Sequence, residues 1–274
     1  MTRLVERVLP AKPAHLVPGM DVVRALPRRE LRRVGPFVFL DHMGPAAGPG
    51  ELWVPPHPHV GLQTVTYLFS GEIEHRDSLG VVQRITPGAV NWMTSGSGIV
   101  HSERAALAGL HGIQTWVALP HAERRRAPAF DHVAAQDLPV VRAPGAELRV
   151  IAGRLGDAAS PVQALHPVTY VDVALRPGAE LELDLPADHE LALYVAEGAL
   201  RIGEQRVGAR ELARLGAGAG LVLRSEPGAR AILLGGAPMA DPTITHWNFV
   251  VGSLAEGLAE DARWKAGGFP AMPT

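Results

Sequence analysis

Short runs of alternating apolar and polar residues, separated by glycine and proline, fill most of this chain. Residues 64–69, 73–77 and 113–119 have the length and the β-branched or aromatic content of strands. Residues 36–40 form an apolar run that fits a buried strand. Short strands with turn residues at this spacing indicate a sandwich or barrel and argue against βαβ units.

Three parts of the chain lack this alternation. Residues 1–35 read as irregular to weakly stranded, with a turn expected at Pro18 and Gly19. Residues 120–145 contain four prolines and read as a linker. Near the end, Ser253 and Glu256 form a capping box, which predicts a helix from Leu254 to about residue 264.

A second strand-rich block follows the linker, from residue 147 to about residue 236. Its residues 191–200 weakly echo residues 64–73, with tyrosine on tyrosine and glycine on glycine. The echo suggests a duplicated barrel. In this alignment Asp184 and Pro186 stand where the first copy has two histidines, so we expect a metal to bind only in the first copy.

Two pairs of candidate metal ligands share the same i, i+2 spacing. They are His57 with His59, and His101 with Glu103. On a strand this spacing points both side chains to one face. If the two strands face each other across a small barrel, three imidazoles and one carboxylate converge on one point. Burying four such groups without partners is costly, so a metal site explains the pattern better than core packing.

These residue types narrow the choice of ion. Imidazole suits zinc, copper, iron and nickel, whereas carboxylate and water suit harder ions such as manganese. We expect one divalent ion per chain, with iron(II) as the first choice, and the sequence leaves manganese, nickel, cobalt, copper and zinc open. Four protein ligands leave two positions of an octahedral ion free for a substrate and dioxygen.

Composition excludes several other classes of protein. The chain has no cysteine, which rules out disulfides and thiolate ligands. Its formal net charge of −2 argues against direct binding to nucleic acid. It has neither an apolar run long enough to span a membrane nor a secretory signal. We expect a soluble cytoplasmic protein, and two barrels in one chain are compatible with a monomer.

The chain resembles the pirin family of the cupin superfamily. The segments that carry the resemblance are residues 37–42, 57–59, 64–68, 71–77, 91–103 and 235–238. It implies an all-β bicupin fold of two jelly-roll β-barrels with a short C-terminal helix. The expected division is an N-terminal metal-binding domain at residues 1–135 and a C-terminal domain without ligands, including the helical tail, at residues 136–274.

The resemblance also implies a function. It gives His57, His59, His101 and Glu103 as the ligands of one metal. Similar bacterial proteins open the flavonol quercetin with dioxygen, and other members are linked to transcription-factor complexes as iron-dependent regulators. We therefore expect a quercetin 2,3-dioxygenase-like oxidoreductase that acts on a small aromatic substrate and dioxygen. The alternative is a redox-sensing regulator that binds a protein partner, either a transcription cofactor or a metabolic enzyme.

Two positions depart from the family pattern. Gln63 stands where the family has an acidic residue, and Val60 stands where a basic residue often follows the second histidine. An amide cannot act as a base. Glu103 is therefore the candidate proton acceptor, unless the metal alone acidifies the substrate.

Further residues are candidates for the substrate pocket. We assign His42, Gln63, Trp92 and Met93 to it. Core packing is the competing interpretation for Trp92 and Met93, and a surface position is the alternative for His42. Residues 75–77, His-Arg-Asp, are expected to end a strand with local polar contacts.

Overall fold

A computed structural model describes residues 1–17, 20–46, 48 and 50–273, so the turn expected at Pro18 and Gly19 lies outside the described residues. The first strands are β1 (Val5–Pro10), β2 (Lys12–Val17), β3 (Met20–Leu26), β4 (Phe37–Met43), β5 (Glu51–His59), β6 (Leu62–Ser70), β7 (Ile73–Asp77), β8 (Val82–Ile85), β9 (Val90–Thr94), β10 (Ile99–Ala106), β11 (His111–Ala118) and β12 (Ala129–Val133). The next are β13 (Val140–Ala143), β14 (Ala146–Leu155), β15 (Ala158–Ala159), β16 (Val168–Leu175), β17 (Ala179–Asp184), β18 (Glu190–Ile202), β19 (Gln205–Gly208), β20 (Glu211–Leu215), β21 (Gly220–Ser225), β22 (Ala229–Gly236), β23 (Ile244–His246) and β24 (Phe249–Val251). A 3₁₀ turn spans His121–Glu123, and helix α1 spans Leu254–Lys265. Within the described residues, no helix combines the length and the apolar character needed to cross a membrane.

The chain forms two compact units, each built from separate stretches of sequence. The N-terminal unit contains residues 13–22, 38–135 and 239–274. The C-terminal unit contains residues 1–12, 23–37 and 136–238. The helical tail, which we grouped with the C-terminal domain, therefore lies within the N-terminal unit, where the Val250 amide donates to the Val60 carbonyl at 2.9 Å. The sequential boundary at residue 135 stays a prediction.

Two sheets make up the scaffold of the N-terminal unit. One has the strand order β12-β9-β6-β11-β4-β3-β2, with β3 passing from one unit into the other, and the second has the order β5-β10-β7-β8. Met43 and Leu68 from the first sheet join Leu52, Val54 and Ile73 from the second in one buried apolar cluster. The inward face of each sheet is thus removed from water by the other sheet.

Most strands predicted for this unit are confirmed within two or three residues, and they are β4, β6, β7 and β11. Two other regions are more regular than expected. Residues 1–35, expected to be irregular to weakly stranded, contain strands β1, β2 and β3, and the expected linker contains β12 and β13. Pro128 and Pro139 stand immediately before these last two strands, which lie at sheet edges where the missing N–H group costs no ladder hydrogen bond.

The described strands of the C-terminal unit form a sheet whose main path runs β1-β20-β18-β22-β16-β14-β13. Its interior is filled with aliphatic side chains such as Leu148, Val171, Leu193 and Leu233. Strand β18 carries Tyr194 and lies inside its sheet, as β6 with Tyr67 does in the N-terminal unit. The two segments with weak sequence similarity, residues 64–73 and 191–200, therefore include strands with equivalent positions in their own sheets.

The C-terminal helix begins at the predicted cap. The Ser253 hydroxyl accepts a hydrogen bond from the Glu256 amide at 3.2 Å. The Glu256 carboxylate reaches back to the Gly252 amide at 3.0 Å, one residue before the amide that a capping box uses. The Ser253 hydroxyl thereby satisfies one of the four orphan amides of the first turn, and the Glu256 carboxylate holds the backbone just before the helix.

We predict that Gly257→Ala destabilises the protein, although alanine is the better helix former by about 1 kcal/mol. A methyl carbon at this position would lie 2.7 Å from Cβ of His246, so the helix would have to move away from β23. The expected loss is about 1–3 kcal/mol in the free energy of unfolding, measured by urea titration. Ala259→Gly, at an exposed site of the same helix, is the control and should lose about 1 kcal/mol through helix propensity alone. A Gly257→Ala variant more stable than the wild type would contradict the close approach.

Candidate metal centre

Strand register brings the three predicted histidines together. Strands β5 and β10 are antiparallel neighbours in one sheet, so they do not face each other across the barrel as we had supposed. His101 lies directly opposite His57, and Ile99 lies opposite His59. The ring centroids of the three histidines are 4.3–5.0 Å apart. Cross-strand partners share a face, which is why rings from two strands converge.

The protons of two of these rings are fixed by backbone carbonyls. His57 Nδ1 lies 2.9 Å from the Pro55 carbonyl, and His59 Nδ1 lies 3.0 Å from the Asn248 carbonyl. A carbonyl can only accept, so Nδ1 must carry the proton in each ring. The Nε2 atoms of His57 and His59 are left with free lone pairs, which is the form that binds a metal.

Burial keeps the rings neutral. His59 and His101 are almost completely buried, whereas His57 is partly exposed. Removal from water lowers the pKa of His59 and of His101 well below the ordinary value, and it lowers the pKa of His57 in the same direction. Neighbouring histidines lower these pKa values further, because a second positive charge would be repelled. Three neutral imidazoles at neutral pH are suitable metal ligands.

The spacing of the nitrogens fits a shared ion. His59 Nε2 and His101 Nε2 are 3.1 Å apart. Two nitrogens bound at a right angle to one ion, each at about 2.1 Å, would be separated by about 3 Å. His57 is partly exposed, so the group formed by His57, His59 and His101 is accessible from one side.

Glu103 lies beside this group on β10. A register irregularity between His101 and Glu103 places Glu103 opposite Val54 on one side, while His75 of β7 lies opposite it on the other. The side chains form two overlapping groups whose ligand atoms lie within 4.8 Å of one another: His57, His59 and His101, and His75, His101 and Glu103. His101 belongs to both groups, so all four predicted ligands lie in one continuous cluster.

Other strands hold the Glu103 carboxylate. The Gln114 amide of β11 donates to both carboxylate oxygens at 3.1 Å, and the Thr66 hydroxyl of β6 donates to Oε1 at 3.4 Å. Hydrogen-bond donors restrict the orientation of a carboxylate. The Glu103 carboxylate is therefore held in a fixed orientation.

Sequence reasoning missed several residues that contact this cluster. Gln114 and Asn248 lie far along the chain from the groups they contact, so only tertiary pairing reveals them. His75 and Asp77 do make the local contact expected of a strand end, with His75 Nε2 3.1 Å from Asp77 Oδ2. The other nitrogen of His75, however, lies 3.4 Å from His101 Nδ1. The signal for this contact was the i, i+2 spacing of His75 and Asp77, which matches that of the two ligand pairs.

The four predicted pocket residues lie in different places. Thr66 contacts Glu103, so the face of β6 that carries Thr64 and Thr66 points toward the site. Met93 pairs with Thr64 on this face. Gln63, which donates to Thr94 at 2.8 Å, and Trp92, which pairs with Val65, belong to the opposite face. The register favours Met93 as a pocket residue.

His42 is completely buried, and its Nε2 lies 2.7 Å from His111 Nε2. Its ring also lies edge-on to Phe69, which is on the face of β6 that points away from Glu103. These contacts differ from those of the histidine cluster. The assignment of His42, Gln63, Trp92 and Met93 to a substrate pocket stays a prediction.

Comparison with known proteins agrees with the fold. Residues 19–117 match the family model described as Pirin, and residues 170–270 match the model of the Pirin C-terminal cupin domain. A Pseudomonas aeruginosa protein provisionally named quercetin 2,3-dioxygenase is 42% identical over 269 residues, which cover 96% of this chain and 84% of that protein. A pirin-like protein of Caulobacter vibrioides is 42% identical over 260 residues, covering 91% and 89%. The crystal structure of quercetin 2,3-dioxygenase from Acinetobacter baumannii superposes with a TM-score of 0.92 at 34% identity, covering 97% of this chain and 91% of that chain.

The fold and the site define the class as an all-β bicupin with a histidine-rich centre, which confirms the predicted fold class. Within that class, the chain belongs to the pirin family. The resemblance drawn from the sequence is therefore confirmed.

Acidification should destabilise the metal-free protein. Burial lowers the pKa of His59 and His101 in the folded state, whereas the unfolded chain takes up protons as the pH falls through about 6.5. The unfolded state then binds more protons, so the free energy of unfolding falls with falling pH. Urea titrations in the presence of a chelator, at about pH 7.5 and about pH 5.5, measure this fall.

A matched pair of variants tests the cause. His101→Leu removes one buried imidazole and should show a smaller fall in stability between the two pH values. His121→Ala removes an exposed histidine and should keep the fall of the wild type. An unchanged fall in His101→Leu would contradict the attribution to this cluster.

Proposed function

We propose that this chain is a metal-dependent dioxygenase of the pirin type, which opens the ring of a flavonol-like substrate with dioxygen. In this proposal His57, His59, His101 and Glu103 hold one divalent ion, with iron(II) as the first choice. The names of the Pseudomonas and Acinetobacter relatives support the choice of a quercetin-like substrate.

The observation that carries the proposal is the convergence of three imidazoles, whose candidate ligand nitrogens lie within 4.8 Å of one another. Two of them, His57 and His59, have Nδ1 committed to a backbone carbonyl. Such an arrangement orients the rings for binding a metal. As core packing alone, burying three imidazoles would be destabilising. Partial exposure of His57 favours a catalytic site, since structural metal sites are usually closed.

The residues around the site have distinct roles in this proposal. A bound divalent ion would favour the deprotonated form of an enol or phenol. Glu103 accepts the hydroxyl proton, while Gln114 and Thr66 hold its carboxylate in place. Gln63 takes no part in proton transfer, because it is an amide and belongs to the opposite face of its sheet. Met93 contributes apolar surface on the side of the site.

Activity measurements test the proposal. Elemental analysis of the purified protein identifies the metal, and the protein is then loaded separately with iron, manganese, nickel or copper. Turnover is followed by quercetin absorbance and by oxygen uptake, and we expect it with at least one of these metals. Glu103→Gln should lower kcat by about 10²–10⁴-fold if its carboxylate is the proton acceptor. His101→Ala should lose metal and activity together, and His121→Ala should retain both.

Two outcomes would change the conclusion. Absence of quercetin turnover with every metal would reject the flavonol assignment. Metal binding without turnover, combined with a protein partner captured only in one oxidation state of iron, would favour the redox-sensing regulator. Partner binding that survives His101→Ala would argue against that alternative as well.

A further inference from the structure

The third strand of the site carries two polar residues to which the proposed function gives no role. Strand β7 pairs with β10 on the side away from β5, with Asp77 opposite His101 and His75 opposite Glu103. His75 and Asp77 are both almost completely buried. Their i, i+2 spacing and their cross-strand partners put them on the same face as His101 and Glu103.

Backbone groups fix the Asp77 carboxylate. The amides of Leu79 and Val81 donate to Asp77 Oδ1 at 2.8 and 3.2 Å. The second oxygen, Oδ2, lies 3.1 Å from His75 Nε2. An ionised carboxylate is acceptor-only, so the proton of this contact must sit on His75 Nε2.

The proton on His75 Nε2 determines the state of His101. A neutral His75 protonated at Nε2 presents a lone pair at Nδ1, which lies 3.4 Å from His101 Nδ1. This separation is at the long end for a hydrogen bond, and it is attractive only if His101 Nδ1 carries its proton. His101 Nε2 is then unprotonated and faces the unprotonated Nε2 of His59 at 3.1 Å. Two lone pairs in this position are complementary to a cation.

We propose that Asp77 and His75 form a hydrogen-bond relay that fixes the tautomer of His101, so that Nε2 of His101 is always free to bind the ion. Both are positioning residues and neither is a ligand. Phe130 stacks on the His75 ring with centroids 4.5 Å apart and planes 24° apart, which helps to hold the ring in this orientation. With this relay, each of the three histidines donates its Nδ1 proton to a defined acceptor. The inference rests on the proposed metal site and adds the origin of its affinity.

A direct ligand role for His75 is the competing interpretation, since His75, His101 and Glu103 form a group within 4.8 Å. The hydrogen bonds argue against it. Nε2 of His75 is committed to Asp77, and Nδ1 of His75 faces the nitrogen of His101 that points away from His59. An ion held between His59 and His101 is thus on the other side of the His101 ring.

Asp77→Asn is the decisive variant. The amide oxygen of asparagine can keep the two backbone donors of Leu79 and Val81, which leaves its NH₂ group facing His75 Nε2. Every proton of the relay is then reversed, and His101 carries its proton on Nε2, where the ion must bind. We expect cobalt(II) to bind about 10- to 100-fold more weakly, as is typical for loss of a partner behind a metal-bound histidine. His75→Phe keeps the stacking on Phe130, breaks the relay, and should weaken binding less, because His101 can then adopt either tautomer.

The experiment measures cobalt(II) affinity by calorimetry and the cobalt(II) absorption spectrum in the full-length protein. If the relay operates, Asp77→Asn has no effect on cobalt(II) affinity in the His75→Phe background. The imidazole that would pass the change in hydrogen bonding to His101 is then absent. Asp131→Asn, at an exposed position on β12, is the control and should bind like the wild type. The spectrum should keep its shape in both relay variants, since the ligand set is unchanged. Urea titration reports whether each variant is folded, and His75→Phe decides the question if Asp77→Asn unfolds.

Each of three results would reject one part of this inference. A wild-type protein that binds no cobalt(II) would remove the metal site itself. Wild-type binding with an unchanged affinity in folded Asp77→Asn, or in His75→Phe when Asp77→Asn unfolds, would reject the relay and leave the metal site intact. A folded His75→Phe variant that loses the cobalt(II) spectrum as completely as His101→Ala would make His75 a ligand and reject its positioning role.

Discussion

The pairing of β10 with β5 on one side and β7 on the other is the constraint on which the site depends. It places His57 and Asp77 opposite His101, and it places His75 opposite Glu103. Because side chains alternate along a strand, a slip of one residue in β10 would turn both of its ligands to the other face of the sheet. The backbone pairing of these three strands therefore determines which side chains form the cluster.

Hydrogen bonds offset the free-energy cost of burying so many polar groups together. An unpaired imidazole or carboxylate in an apolar environment is destabilising. Here the Pro55 and Asn248 carbonyls pair with two rings, and the Gln114 amide pairs with the carboxylate of Glu103. These bonds also leave particular lone pairs unsatisfied. The same contacts that lower the cost of burial thus create a set of nitrogens suited to a cation.

Local periodicity was sufficient to predict the two i, i+2 pairs of this cluster. The i, i+2 spacing of His57 with His59, and of His101 with Glu103, is contained in a few consecutive residues, so the sequence reveals it directly. The neighbour of β10 on its other side is a matter of tertiary pairing, and the i, i+2 spacing of His75 and Asp77 does not by itself specify that pairing. His75 was accordingly assigned a local role only, and Asn248, in the tail after the second strand-rich block, was not considered.

The same distinction explains the errors in the fold. Residues 1–35 and 120–145 have weak strand patterns, yet they supply β1 and β12, which pair at β20 and β9. An edge strand needs only one hydrogen-bonded neighbour and tolerates proline and charge, so its sequence carries little periodicity.

The two units use related scaffolds in different ways. In the C-terminal unit, aliphatic side chains such as Leu193 and Leu233 fill the interior, which maximises apolar burial. In the N-terminal unit, the apolar cluster around Met43 and Leu68 shares the space between the sheets with the polar cluster around His101. Polar side chains there replace core packing that would contribute more to stability. Such a replacement is expected where a side-chain constellation serves binding or chemistry.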